Sequence, residues 1–318
     1  MRSRTTSRAP AGPVRLASLA LAAMTLAGTS LVAAQSTRVC LSGSNTVGQK
    51  LAPALVKAWA QQQGWELQSQ TQPALDENRL TLSTDRGPVV VDVLAHGTST
   101  GFAALRDGDC DVWMASRAVK SDEIEAARLL GPLYEQGQEH VIALDGLAVI
   151  VHPRNPITAL TVEQVRNVFA GRVRDWSQLG GAPGPIALHA RDDRSGTFDT
   201  FKSLVLGDAA LSGAAARYES TEQLAAAVAA DPRAIGFVGL AGVGGAKALA
   251  LSERGTKPMA PTPLSVATED YVLSRRLFFY SAGRPRAEAK ALIDFALGPS
   301  GQAVVSQVGF VPQDIRAL

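Results

Sequence analysis

Three times within residues 38–130 a short apolar run gives way to a loop of Gly, Ser and Thr, and then to apolar residues at helical spacing. The first is Val39-Cys40-Leu41, followed by Ser42-Gly43-Ser44-Asn45-Thr46 and a face of Val47, Leu51, Leu55, Ala58 and Trp59. The second is the run 89–94, the loop His96-Gly97-Thr98-Ser99-Thr100-Gly101, and then Phe102 and Leu105. The third is 111–115, then Ser116-Arg117, then a helix with Ser121 as its predicted cap and Asp122 and Glu123 in its first turn. A short apolar run bounded by polar punctuation and followed by 3.6-residue periodicity is a strand–loop–helix unit. Its repetition predicts an α/β fold with a mostly parallel sheet. Ligands of such sheets sit beyond the carboxyl ends of the strands, so the loops at 43–47, 97–101 and 116–117 are expected to converge. Strands are also expected at 66–72 and 80–83.

The second half of the chain carries a unit of its own. A strand at 186–190 runs into Arg191-Asp192-Asp193-Arg194-Ser195-Gly196-Thr197, and Phe198, Phe201, Leu204 and Val205 follow at helical spacing before Gly207. Ser195 is a good N-cap, and Gly196 leaves the first amides of that helix uncovered by a side chain. Free N–H groups with a hydroxyl on each side make an anion site, and Arg191 adds a fork of donors suited to phosphate or carboxylate. Around this unit lie an apolar run at 141–152 interrupted by Asp145-Gly146 and a capping box at Thr161-Val162-Glu163-Gln164. An Ala-rich helix after Thr221, a buried strand at 234–238, a strand at 271–281 and a helix at 287–297 complete it. Pro258, Pro261 and Pro263 make 255–265 read as irregular. The simplest architecture is two α/β lobes facing each other across a cleft.

The N-terminus belongs to neither lobe. Arg2, Arg4, Arg8 and Arg15 stand in a segment without acids, residues 16–32 are apolar, and Val32-Ala33-Ala34 offers small residues for cleavage. Residues 1–34 therefore read as a secretory signal peptide and the mature protein as exported. Without that segment Lys plus Arg falls from 31 to 27 against 29 acids, so a net charge of +2 becomes about −2. A nucleic-acid partner loses its electrostatic support. Cys40 and Cys110 remain and would meet an oxidising compartment; a disulfide and two separate thiols are both compatible with their spacing.

Several chemistries can be weighed residue by residue. His96, His140, His152 and His189 are scattered without metal-ligand spacing, so no metal and no cofactor is expected. Gly43-Ser-Asn-Thr-Val-Gly48 begins like a phosphate loop, but Gln49 occupies the lysine position, which excludes nucleotide hydrolysis. Gly97-Thr-Ser-Thr-Gly101 matches the Gly-x-Ser-x-Gly of a nucleophile elbow, which would make Ser99 the nucleophile of a secreted esterase or phosphatase. The alternative is a cage of hydroxyls, amides and guanidinium for a small tetrahedral oxyanion, drawn from Ser44, Thr46, Thr98, Ser99, Ser116, Arg117, Arg191, Ser195 and Thr197.

At family level the chain resembles the phosphate-binding proteins of bacterial Pst-type ABC transporters, which are type II periplasmic binding proteins. The stretches that carry the resemblance are Gly43–Gly48, Gly97–Gly101, Gly108-Asp-Cys-Asp-Val112, Ala115-Ser-Arg117, and 144–156 with its Val-Ile-Val-His-Pro153. To these are added 160–171 with Asp175-Trp-Ser177, Arg191 with Ser195-Gly-Thr197, Ala234-Ile-Gly-Phe-Val238, Gly298-Pro-Ser-Gly-Gln302 and Gly309-Phe-Val-Pro312.

The resemblance implies a two-lobed fold closing on inorganic phosphate and delivering it, as a monomer, to an ABC transporter permease in the inner membrane. Lobe 1 would comprise residues 35–145 with a return at 270–318, and lobe 2 residues 146–269, with 141–152 and 271–281 as crossing strands. Phosphate would meet Ser44, Thr46, the Val47 amide, Thr98, Ser99, Ser116, Arg191, Ser195, the Gly196 amide and Thr197. Arg117 stands where the best-studied members have an aspartate after Ala-Ser; it would strengthen anion binding and leaves sulfate, molybdate or tungstate as alternative ligands. The implied strand order puts Cys40 and Cys110 at the starts of neighbouring parallel strands, so the resemblance favours a disulfide between them.

Overall fold

A computed structural model of the chain describes residues 37–135 and 137–313; the expected signal peptide lies outside the described residues. Strand β1 (Thr37–Gly43) ends at a glycine whose φ of 134° no L side chain readily adopts. The chain then turns into α1 (Asn45–Gly48), capped by Ser44, and α2 (Leu51–Gln62), whose Leu51, Leu55, Val56 and Trp59 are buried. An antiparallel hairpin follows, β2 (Glu66–Thr71) with β3 (Glu77–Ser83), and β3 pairs in turn with β4 (Val89–Leu94). After β4 come α3 (Thr98–Asp107), β5 (Val112–Ala115) and α4 (Ser121–Ala126). Ser121 is the first residue of α4 rather than its cap: the Glu123 carboxylate bonds the Lys120 N–H in front of it.

Strand β6 (Glu139–Val151) is continuous over 13 residues. Beyond it lie β7 (Ala159–Thr161), α5 (Val162–Phe169) with its capping box of Thr161 and Gln164, β8 (Ala187–Arg191) and α6 (Gly196–Phe201). Next are β9 (Ala216–Tyr218), α7 (Thr221–Ala230), β10 (Ala234–Gly239), β11 (Lys247–Ala248) and β12 (Ala250–Ser252). The chain returns through α8 (Pro263–Ala267) and β13 (Ser274–Ser281) to α9 (Ala287–Leu297) and α10 (Pro299–Gln307). Two of these helices were not expected. Proline at the first helical position costs no hydrogen bond, and α8 uses Pro263 there, after a Thr262–Ser265 capping box, inside the stretch that reads as irregular. Pro299 opens α10 in the same way.

The strand order β2-β3-β4-β1-β5-β13-β6-β10-β8-β9 makes two half-sheets that share β6. Residues 139–146 of β6 pair with β13, and residues 147–151 pair with β10, both antiparallel. The expectation of a mostly parallel sheet needs correction. Parallel pairing holds for β4-β1-β5 and for β10-β8-β9, whereas the hairpin and the crossing strands run the other way. Each half has its own core. Leu41, Trp59, Val91, Phe279 and Leu292 belong to one apolar cluster, and Val149, Phe169, Phe201, Phe237 and Leu251 to another. Cys40 on β1 and Cys110 just before β5 are joined in a disulfide with Cα atoms 4.7 Å apart. Among the described residues no helix is long and apolar enough to cross a membrane.

Candidate functional site

The carboxyl ends of β1, β4, β5 and β8 meet at one place. The Gly97 N–H donates to the Gly43 carbonyl at 2.8 Å and the Ser44 N–H to the Met114 carbonyl at 2.9 Å, which fixes the three loops of the first half against one another. The loop of the second half is then pressed onto them. Ser99 N–H donates to the Arg194 carbonyl at 3.2 Å, and Thr200 Oγ1 to the Ser116 carbonyl at 3.3 Å.

Hydroxyls line the contact. Thr46 Oγ1 and Thr197 Oγ1 are 3.1 Å apart, and Thr98 Oγ1 and Ser116 Oγ 3.2 Å; all four side chains are buried. Gly196 closes the cluster, since a Cβ there would lie 2.3 Å from Thr98 Oγ1 and 2.7 Å from Ser116 Oγ. Ser44 and Ser195 are buried as caps. Their Oγ atoms accept from the Val47 N–H at 3.4 Å and the Phe198 N–H at 3.3 Å, so in this arrangement the Val47 amide is turned to Ser44. Ser99 is half-buried beside them.

Arg191 is the electrostatic centre of the site. Its side chain is 1% exposed, and its guanidinium donates to the Tyr218 carbonyl (3.2 Å), Thr221 Oγ1 (2.7 Å), Asn45 Oδ1 (2.7 Å) and the Glu219 carbonyl. Every one of these acceptors is neutral, and no ion pair among the described residues includes Arg191. Burial pushes its pKa down to about 10, so it is still a cation at neutral pH. Asp192, Asp76 and Glu219 act on it only from beyond ion-pair distance, and a buried cation in direct contact with neutral groups alone favours an anion next to it.

Arg117 is placed otherwise than its sequence position implies. Its Nε donates to Asp199 (2.7 Å), Nη1 to Glu123 (2.7 Å) and the Ala118 carbonyl (2.9 Å), and Nη2 to Glu123 (2.6 Å). Burial alone would lower its pKa, but Glu123 and then Asp199 outweigh that and raise it. Two carboxylates neutralise this guanidinium, so it contributes a bridge between α4 and α6 rather than a spare positive charge.

Arg275 was not singled out from the sequence. Its Nε and Nη2 hold the buried Asp145 at 2.9 and 2.6 Å, and its Nη1 reaches Thr197 Oγ1 at 3.0 Å. Asp145 is completed by the Leu240 N–H at 3.0 Å. Half a signal was present: Asp145 interrupts the apolar part of β6, but Arg275 stands beside Arg276 at the polar start of β13 and nothing in the sequence distinguishes the two. Arg117 and Arg275 also line an open groove of about 780 Å³ together with Lys120, Lys202, Arg276 and two acids, Glu139 and Asp199.

An esterase would need a histidine on the Ser99 hydroxyl. Among the described residues no hydrogen bond joins them: His96 faces Glu77 and Glu219, His189 faces Tyr218, and His152 accepts the Arg154 N–H. Nor does any group of three His, Cys, Asp or Glu side chains among these residues stand where it could hold a metal ion.

Comparison with known proteins bears on the same surfaces. A sequence profile for the PBP superfamily domain matches residues 68–300. The chain is 30% identical over 240 residues to protein SphX of Synechococcus elongatus, covering 71% of this chain and 70% of that one. It is 27% identical to the phosphate-binding protein PstS of Bacillus subtilis, covering 70% and 71%. In three dimensions it is similar to a substrate-binding protein of Clostridium perfringens with bound phosphate, with a TM-score of 0.70 and 26% identity over 87% of this chain and 99% of that one. An ABC-type phosphate transport receptor from Vibrio cholerae gives 0.61 and 25% over 86% and 99%.

Proposed function

This chain belongs to the PBP superfamily, and on that premise we propose that it captures inorganic phosphate between its two lobes outside the cytoplasm for delivery to an ABC permease. The observation that carries the ligand class is Arg191: a buried guanidinium bonded only to neutral acceptors, beside a cluster of four buried hydroxyls. Phosphate supplies the missing negative charge and accepts from Thr46, Thr98, Ser116 and Thr197 once those hydroxyls turn from one another to the ligand. Ser44, Ser99, Ser195 and the amides of Val47 and Gly196 stand next to them, and Arg275 braces Thr197 from behind. No bond is broken. Charge-assisted hydrogen bonds in a closed cleft replace the hydration of the ion, and micromolar binding needs only about 8 kcal/mol net.

Residues 35–145 with 270–313 form one lobe in this reading and 146–269 the other; the two separate cores follow that division except that Tyr271, Leu273 and Val311 pack into the second. Residues 1–34 act as the export signal, and the disulfide is at home in the oxidising compartment to which they lead. The protein works as a monomer.

Calorimetry of the mature protein with phosphate, sulfate and molybdate tests the reading. Phosphate is expected to bind at micromolar concentration or tighter, and Arg191→Ala to abolish it. Heat with sulfate or molybdate but none with phosphate overturns the choice of ligand. Undiminished phosphate binding by Arg191→Ala overturns the site.

A further inference from the structure

His96 lies between two carboxylates that come from different halves of the molecule. Its Nδ1 is 2.8 Å from Glu219 Oε1, on the segment after β9, and its Nε2 is 3.0 Å from Glu77 Oε1, at the start of β3. Ionised carboxylates only accept, and a neutral imidazole carries a single N–H. In either neutral tautomer one ring nitrogen would therefore aim its lone pair at a carboxylate oxygen. The imidazolium alone satisfies both contacts.

Glu219 ties this arrangement to the anion site. Its main-chain carbonyl accepts from Arg191, and its second carboxylate oxygen accepts from Arg194 Nη2 at 2.7 Å. Arg194 is itself paired with Asp192, and its carbonyl holds Ser99. The charged groups facing His96 are thus Glu77 from β3 and Glu219 from the segment after β9, with Arg194 and Asp192 behind Glu219. Asp76, adjacent to Glu77, is turned to Asn45 and Gln49.

We propose that His96 is a clasp of the closed cleft: as the imidazolium it ties Glu219 of the second half to Glu77 of the first, so that closure on phosphate takes up a proton. This rests on the cleft closing on an anion and adds a positioning residue that does not touch that anion. Burial of the ring favours its neutral form, but the hydrogen bonds to Glu77 and Glu219 outweigh burial and raise its pKa. When the halves part, the Glu219 contact is lost and the pKa falls back toward the ordinary value of about 6.5. Since closure raises the pKa, the clasp acts fully below the open-state value and fades as pH rises through the higher closed-state value.

The test compares phosphate affinity of wild type and His96→Gln between pH 5.5 and 9. Protonation of phosphate itself is common to both proteins and cancels in the ratio. The variant is expected to bind at least about fivefold more weakly at pH 6 and to approach wild type by pH 9. Calorimetry in buffers of different ionisation heat should show that wild type takes up more protons on binding than the variant. A ratio that stays flat with pH overturns the clasp. A second arm follows the His96 ring by NMR in phosphate-saturated wild type and Glu219→Gln, where the cleft is closed and the contact is made. A lower pKa in Glu219→Gln is expected, and identical titrations overturn the clasp. Failure of wild type to bind phosphate at all would instead overturn the choice of ligand, and the NMR comparison, made with whichever of sulfate or molybdate binds, would still decide the role of His96.

Discussion

Arg275 and Thr197, 78 residues apart in the chain, meet at 3.0 Å, and the same guanidinium holds Asp145 with its other edge. One side chain thereby satisfies a buried acid and orients a hydroxyl of the anion cluster. Arg275→Ala is expected to cost about 3–5 kcal/mol of stability, because it leaves the Asp145 carboxylate buried without its partner. Arg275→Lys keeps a charge near Asp145 but loses the planar fork that also reaches Thr197. It should fold and bind phosphate about tenfold more weakly. Urea denaturation and calorimetry on the two variants separate these effects.

Gly196→Ala tests the closed cleft directly. Alanine is favoured over glycine in a helix by up to about 1 kcal/mol, so α6 itself should tolerate it. The added Cβ would lie 2.3 Å from Thr98 Oγ1 across the cleft, well inside contact distance. Melting temperature is expected to stay within a few degrees of wild type while phosphate affinity drops by at least about tenfold. Unchanged affinity would mean that the halves need not approach this closely to hold the ligand.

Arg117 and Arg191 should behave differently when truncated, although both are buried arginines at the cleft. Arg117→Ala removes the bridge to Glu123 and Asp199 and is expected to lower stability by about 3 kcal/mol, with a modest loss of phosphate affinity. Arg191→Ala removes the uncompensated charge and should abolish binding. Side-by-side thermal melts and phosphate titrations give the contrast; equal loss of binding in the two variants would contradict it.

The disulfide closes across 70 residues. Converting Cys40 and Cys110 together to alanine is expected to destabilise the protein by about 2–4 kcal/mol, read from denaturant midpoints. Intact mass before and after reduction should differ by the two hydrogens of one bond.

The loops that form the site were legible because each obeys a local rule. A strand ends and a polar residue opens the loop or helix beyond it, so Ser44, Thr98, Ser116 and Ser195 could be placed there from spacing alone, although only Ser44 and Ser195 are helix caps. Their convergence followed from the general rule for such sheets. Arg275 with Asp145 was not legible in the same way: its partner is 130 residues distant, and only the pairing of β13 with β6 brings them together. Arg117 shows the converse. Its position in the motif is evident, but its charge is decided by Glu123 and Asp199, which no periodicity marks as its partners. The helices α8 and α10 were hidden because proline reads as a breaker until its place at the first helical position is known.

Strand β6 answers to β13 as far as Gly146 and to β10 from Leu147 onward, so one of the two crossings between the half-sheets falls on that peptide link. Asp145 sits beside it, bound to Arg275 on one oxygen and to the Leu240 N–H on the other. The fulcrum and the load are therefore joined by a lever one side chain long, running from Asp145 through Arg275 to Thr197. In the proposed site, a pull on Thr197 reaches Asp145 through the single side chain of Arg275.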